Sequence, residues 1–428
     1  MTQGKRAAVE VEREVEDIIT ALPVNVVDRI LKLLPVHDAA KTSILSRKWR
    51  GIWASHPYLV LNSLFCKRLI TKSESFFRET VDMILLQHIG DIVEFDLDVS
   101  GVRLSSFIDI DRWMLFVTRN GVKKLTLKMS KTINTTYKVP SYIFNCRTLE
   151  HLTLFNCIFK PPNPFLGFNN LITLCLRRIT FVPATEFCVI NAPILINLTL
   201  IRCKCTQYFN IVVSSRLKCL SNCGGHGNLD LNRFANCKEL TNLVLLDDSP
   251  IHSDEISTYE KLIFSLSALE KLTLGPIALE LLSTGVVTKG IPFTLNYLWH
   301  LQLIVDLSQI GQTSYALELI KSFPNLSKLQ IWVYAACDKD ETVMKYLDKP
   351  ACLDRPLNKL EDVVIDCFRG SKSELLFIKL LFGGAPSLVR MSIKQYWSAS
   401  ESSQERNISK ELMRFPRASP KVEVFYDP

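Results

Sequence analysis

Long uncharged apolar runs are missing from this 428-residue sequence. A helix that crosses a bilayer needs about 20 predominantly apolar residues in succession, so no membrane segment is expected. The opening MTQGKRAAVEVEREVED is too charged to hold the apolar middle of a secretory signal, and no anchor signal follows Phe425. An intracellular chain, nuclear or cytoplasmic, is the expectation. An excess of one charge sign is lacking too: 51 basic and 43 acidic residues alternate, and the net +8 comes without a basic block, which argues against nucleic acid as a partner. The phrases of catalysis are absent as well. There is no P-loop, no Gly-x-Ser-x-Gly elbow and no His-Glu-x-x-His, and the seven histidines are scattered, none in a nucleophile phrase. The nearest phosphate-cradle candidate, GGHGNL from Gly224, lacks a third glycine. Neither an enzyme nor a cofactor is expected.

Cysteine, by contrast, is plentiful at thirteen. The number is odd and the residues lie in apolar stretches, where a reduced thiol packs as a small hydrophobe. A metal site is the alternative, since Cys203, Cys205, Cys219, Cys223 and His226 fall close together. However, Cys203 and Cys205 are separated by one residue where zinc motifs usually place two to four, and Cys203 occupies an inward position matched by Cys157. Packing is the preferred reading, with no metal.

Charge dominates residues 1–16, for which a flexible tail is expected. From Leu22 the pattern turns helical. Pro23 suits a first turn, and Val26, Val27, Ile30, Leu31 and Leu34 recur at helical spacing until Pro35. A second short helix is predicted over roughly 37–44, and Ser46 is a natural N-cap for a third that carries Trp49 and Trp53 on one face. A longer helical stretch runs from Ser73 to Ile89 and bridges these helices to the first strand.

One hexapeptide pattern then recurs, apolar-x-x-apolar-x-apolar: VKKLTL at Val122, LEHLTL at Leu149, LITLCL at Leu171, LINLTL at Leu195, LTNLVL at Leu240, LEKLTL at Leu269, LWHLQL at Leu298 and LSKLQI at Leu326. Weaker copies begin at Ile92, Leu217, Leu360 and Leu388. From Leu149 to Leu240 the copies start 22 to 24 residues apart, and elsewhere mostly 27 to 30, with one gap of 34. These periods match leucine-rich repeats, each a short strand with a return limb that closes a core only by stacking on its neighbours. Phrases such as FNCRTL, FANCKEL, FPNL and GAPSL introduce several units. An α/β solenoid with parallel strands is the predicted fold.

The segment IITALPVNVVDRILKLLPVHDAAKTSILSRKWRGIW resembles the F-box of plant F-box proteins: Leu22-Pro23, Leu34-Pro35, the Ala39 to Ser46 run and the Arg47 to Trp53 ending stand in its order, with His37 where a Lys is usual. The repeat region resembles that of the same family, and LEDVVIDCFRGSKSELLFIKLLFGGAPSLVRMSIKQYW with the end ISKELMRFPRASPKVEVFY resembles its closing FBD domain. The implied organisation is a tail (1–16), a three-helix F-box (17–60), a helical connector (61–91), a curved repeat array (92–350) and an FBD region of last repeats and C-terminal cap (351–428).

The family implies a non-catalytic substrate receptor of a Skp–cullin–F-box ubiquitin ligase. Its F-box docks on a Skp-type adaptor, and through it on cullin and a RING protein, while the repeats hold a target. By motif position the adaptor contacts are Leu22, Pro23, Ile30, Leu31, Pro35, Ser43, Leu45, Ser46 and Trp49. The residue pattern alone also allows Trp49 and Trp53 to cap the first repeats. Two other readings stand: a non-degradative scaffold with a degenerate F-box, and a small-molecule receptor like relatives with longer arrays. Within each hexapeptide the intervening residues line the opposite face of the sheet. One such column is Lys124, His151, Thr173, Asn197, Asn242, Lys271, His300 and Lys328, and a neighbouring one, just past each motif, is Lys128, Phe155, Arg177, Ile201, Leu246, Ile304, Trp332 and Lys394. From these, Phe155, Arg177, His300, Lys328, Trp332 and Lys394 form the expected target face, with Trp332 as anchor and Arg177 and Lys328 as charge partners for an acidic or phosphorylated segment.

Overall fold

The computed structural model of the chain describes residues 22–130, 136–163, 165–182, 188–205, 209–213, 215–226, 231–246, 256–286, 295–335, 341–396 and 402–427. The expected tail at 1–16 lies outside the described residues, as does part of GGHGNL. The fold has two compact units, Met1–Thr132 and Ile133–Pro428.

In the first unit the chain opens on α1 (Val24–Leu33), α2 (Val36–Lys41) and, after a 3-10 turn at Thr42–Ile44, α3 (Arg47–Ala54). Pro23 and Pro35 stand just outside α1 and α2 at φ −56° and −54°, where the Pro23 carbonyl accepts from Val26 and Val27 N–H groups. Ser46 caps α3 by accepting from the Trp49 amide at 3.2 Å. Then comes a strand that hydrophobic periodicity missed: β1 (Tyr58–Leu61) is four residues long, too short for a pattern to show. It pairs in parallel with β2 (Glu94–Asp98), and β2 with β3 (Lys124–Lys128). The helices between β1 and β2, α4 (Ser63–Ile70) and α5 (Glu74–Leu86), are therefore the return limb of a first strand–helix unit, not a bridge leading to the first strand. A parallel pair needs such a crossover. α6 (Ile108–Arg119) returns the chain from β2 to β3, and its Trp113 meets Phe77 of α5 edge-on at 5.6 Å between centroids.

In the second unit each remaining hexapeptide becomes a strand: β4 (His151–Phe155), β5 (Thr173–Arg177), β6 (Asn197–Cys205), β7 (Cys219–His226), β8 (Asn242–Leu246), β9 (Lys271–Leu274), β10 (His300–Asp306), β11 (Lys328–Ala335), β12 (Asp362–Phe368) and β13 (Arg390–Gln395). Each pairs in parallel with the next, and β14 (Glu423–Asp427) closes the ladder. Inward leucines such as Leu152, Leu174, Leu198, Leu243, Leu301 and Leu329 are fully buried, row above row. The introductory phrases make the turn that feeds each strand, with Leu240 N–H donating to Cys237 O and Leu326 N–H to Phe323 O.

Repeat length decides the return limb. Where copies lie 22 to 24 residues apart, the chain returns through short strands such as Cys157–Phe159 and Thr180–Phe181 over a cluster of Phe144, Phe159, Phe168 and Phe181. From Leu240 on, the longer units house helices: α7 (Ile256–Ser265), α8 (Pro276–Val286), α9 (Ile310–Ser322), α10 (Glu341–Leu347) and α11 (Lys372–Gly384). At 1.5 Å per residue against about 3.3 Å for a strand, a helix takes more residues to cover the same distance.

Candidate functional site

Apolar residues cover more of α1 than its neighbours bury. Val27 and Leu31 face the core at 1% exposure, whereas Val26, Ile30 and Leu33, which follow one another along the helix at i, i+4 and i+7, are open to solvent. Leu34 joins this open stripe, and the short turn after α2 presents Ile44 at 80% and Leu45 at 69% exposure. Burying one such aliphatic contributes about 1.5 to 3 kcal/mol, so a face of this kind is built to be covered.

The motif-derived contact set divides on this geometry. Pro23, Ile30, Pro35, Leu45 and Ser46 are exposed, and Leu22 and Ser43 are half-buried. Leu31 and Trp49 are not surface residues: at 1% and 5% exposure they lie on the buried sides of α1 and α3 and belong to the unit's own core. The serines serve locally. Ser43 Oγ donates to Ala40 O at 2.6 Å, and Ser46 Oγ holds the start of α3. Leu33, Leu34 and Ile44, outside that set, lie on the same open face, and the helical stripe that runs through Ile30 signals the first two. Beneath the helices His56 is buried beside Asp28 at 3.2 Å and stacks on Trp53; burial lowers its pKa, against the pull of Asp28.

On the second unit the outward columns read from the hexapeptides are register rows, except that the β12–β13 register shifts after Ile365 and Lys394 does not continue the second. His151, Thr173, Asn197, Cys219, Asn242, Lys271, His300, Lys328, Asp362, Arg390 and Glu423 form one. Phe155, Arg177, Ile201, Cys223 and Leu246 lie in a second, with Ile304, Trp332 and Asp366 aligned further along. At the β11–β13 end the expected charge partner Lys328 is itself matched within the sheet. Asp362 and Asp366 of β12 face the same way and pair with Lys328 at 3.4 Å and Lys394 at 3.6 Å, and Gln330 donates to Asp366 at 2.7 Å. The weak copy at Leu360 and the residue just past it carried both aspartates in plain view. His300 sits between Lys271 and Lys328, and burial followed by those two charges holds its pKa down, so it presents a neutral ring. Trp332 is 43% exposed.

At the ends of β4 to β7 the backbone adopts one unusual shape four times. Asn156, Arg178, Arg202 and Gly224, each directly after the second-row residue of its strand, have φ of 59°, 52°, 50° and 56°. Asn156 N–H donates to Arg177 O at 2.9 Å and Arg178 N–H to Ile201 O at 2.7 Å, which fixes the bend. Glycine and asparagine adopt this conformation readily, whereas an arginine there costs on the order of 1 kcal/mol. The bend opens a groove of about 940 Å³ lined by Phe155, Arg177, Arg178, Arg202, Leu246, Ile304 and Tyr334 among others. The thiols nearby are packing groups: Cys203 Sγ donates to Leu176 O at 3.3 Å and burial pushes its pKa up to about 11. Among the described residues no cluster of His, Cys, Asp and Glu has the arrangement of a metal site, and no helix is long and apolar enough to cross a membrane.

Comparison with known proteins bears on both surfaces. The family profile of FBD-associated F-box protein At5g56370, LRR repeats, matches residues 110–331, which is more than half the chain, and the F-box domain matches 19–61. The chain belongs to this F-box and leucine-rich-repeat family. The F-box/FBD/LRR-repeat protein At1g13570 of Arabidopsis thaliana is 29% identical over 96% of this chain and 99% of its own length. From the same plant, the F-box/LRR-repeat protein At3g59200 is 35% identical over 39% of this chain and 30% of its own. The open stripe of α1 is thus a face of the F-box, and the register rows belong to the leucine-rich repeats.

Proposed function

We propose that this chain is the substrate-recognition subunit of a Skp–cullin–F-box ubiquitin ligase, acting in the nucleus or cytoplasm and without covalent chemistry of its own. The F-box binds a Skp-type adaptor, which brings cullin and the RING protein, and the repeats hold the target protein. One observation carries this reading: the F-box leaves Val26, Ile30, Leu33, Ile44 and Leu45 open on helices whose other apolar side is already buried. A domain whose core is closed has no use for a second apolar face unless a partner covers it.

Co-expression of the full chain with a Skp-type adaptor, followed by size-exclusion chromatography, tests it. A 1:1 complex is expected. Ile44→Asp with Leu45→Asp should weaken adaptor binding about 30-fold or more while leaving the thermal midpoint unchanged, because both side chains are exposed. Trp49→Ala acts differently, by emptying a core position, and should lower the midpoint first. No complex with the unaltered chain would leave it a repeat scaffold with a degenerate F-box.

A further inference from the structure

At the β11–β13 end outward charges are matched, as Lys328 is by Asp362 and Lys394 by Asp366. Arg177, Arg178 and Arg202 are the contrast. All three are exposed, they lie on adjacent strands at one end of the groove, and among the described residues no carboxylate pairs with them. Arg178 keeps only the face of Phe155, 5.4 Å from the ring centroid. Two of the three hold a left-handed backbone at positions where the equivalent residues in the flanking repeats are Asn156 and Gly224, the types that conformation favours. The backbone has no use for arginine there, so the use lies in the side chains.

The groove then runs on past Leu246 and Ile304 to Tyr334, with Glu280 in its far wall. It crosses the strands from β4 to β11, and at about 4.8 Å per strand step it is roughly 30 Å long. At about 3.3 Å per residue that is the length of nine or ten residues of extended chain, whereas a compact metabolite would occupy a fraction of it. Three guanidinium groups on neighbouring strands exceed what one carboxylate engages, and they suit the three terminal oxygens and near-double charge of a phosphoryl group. We propose that this groove binds an extended segment of a target protein, with a phosphorylated serine or threonine seated on Arg177, Arg178 and Arg202 and apolar side chains along Leu246 and Ile304. The proposal rests on the reading that the repeats hold a protein target.

The test uses the full-length chain and immobilised ten-residue peptide libraries that carry phosphoserine, serine or glutamate at one fixed position. Retention of the phosphoserine library alone is expected, with apolar residues selected to one side. In the Arg178→Asn, Arg202→Asn variant that retention should fall at least ten-fold while the thermal midpoint holds or rises, since asparagine accepts a φ near 50°. Equal retention of the serine or glutamate library, or undiminished retention by the variant, overturns the proposal. So does a lowered midpoint in the variant, which would make the arginines structural, or competition by free phosphoserine as strong as by the peptides, which would make this a small-anion site. Adaptor binding, measured on the same samples, is expected to be unchanged; a chain that captures the phosphopeptides but no adaptor keeps this site and loses the ligase reading.

Discussion

Asp96 shows how one residue can work against its surroundings. It lies on β2 between Val60 and Thr126 of the neighbouring strands, and one carboxylate oxygen is buried without a hydrogen-bond partner. Burial raises its pKa to about 6; Asp98 and Glu94 add to the rise, and Lys128 and Lys124 oppose it. A carboxyl that holds its proton more tightly when folded stabilises the fold fully below its ordinary pKa of about 3.9, and that contribution is lost as pH rises through 6. Asp96→Asn should therefore raise unfolding stability by on the order of 2 kcal/mol at pH 7.5 and by almost nothing at pH 3.5. Urea titrations at the two pH values check it, and equal effects at both would remove burial as the cause.

Among the elements, α11 has its start built most completely. Ser371 accepts from the Glu374 amide at 3.3 Å, and the buried Glu374 carboxylate accepts from the amides of Ser371 at 2.7 Å and Arg369 at 3.0 Å, a reciprocal capping box. Desolvation pushes the pKa of Glu374 up, and the hydrogen bonds its carboxylate accepts from Ser371 and Arg369 pull it back. Ser371→Ala should cost about 1 kcal/mol. Glu374→Ala should cost more, about 2 to 3 kcal/mol, because it strands two amides under α11. Urea midpoints of the two variants give the order, and a reversed order would shift the weight of the cap to the serine.

At the scale of the whole molecule, a ladder of strands has ends. Beyond β11 the rows Leu329 and Ile331 continue into Val363 and Ile365 of β12, then Met391 and Ile393 of β13, and Ser419 Oγ ties the last turn to Leu388 O at 2.6 Å. Ending the chain after Leu360 would open the edge of β11 and uncover its core. Residues 1–360 are expected to aggregate or to melt well below the full chain, whereas ending after Phe415, which removes β14 and the Ser419 tie, should cost less. A soluble, monomeric 1–360 with an unchanged midpoint would make the C-terminal region an independent module.

The sequence by itself determined the periodic features. Every apolar-x-x-apolar-x-apolar copy became a strand, Ser46 became a cap, and the interval between copies determined helix or strand returns, because each depends on local spacing and chain length. Even the outward columns could be read, since side chains alternate along a strand. Tertiary structure decided what depends on neighbours distant in sequence. β1 is a strand because β2 lies beside it; Trp49 is core and Ile44 surface because of how three short helices close; Lys328 is neutralised because β12 brings Asp362 alongside. The left-handed turns at Arg178 and Arg202 are of the same kind. No pattern marks them, and a hydrogen bond to the adjacent strand sets the first.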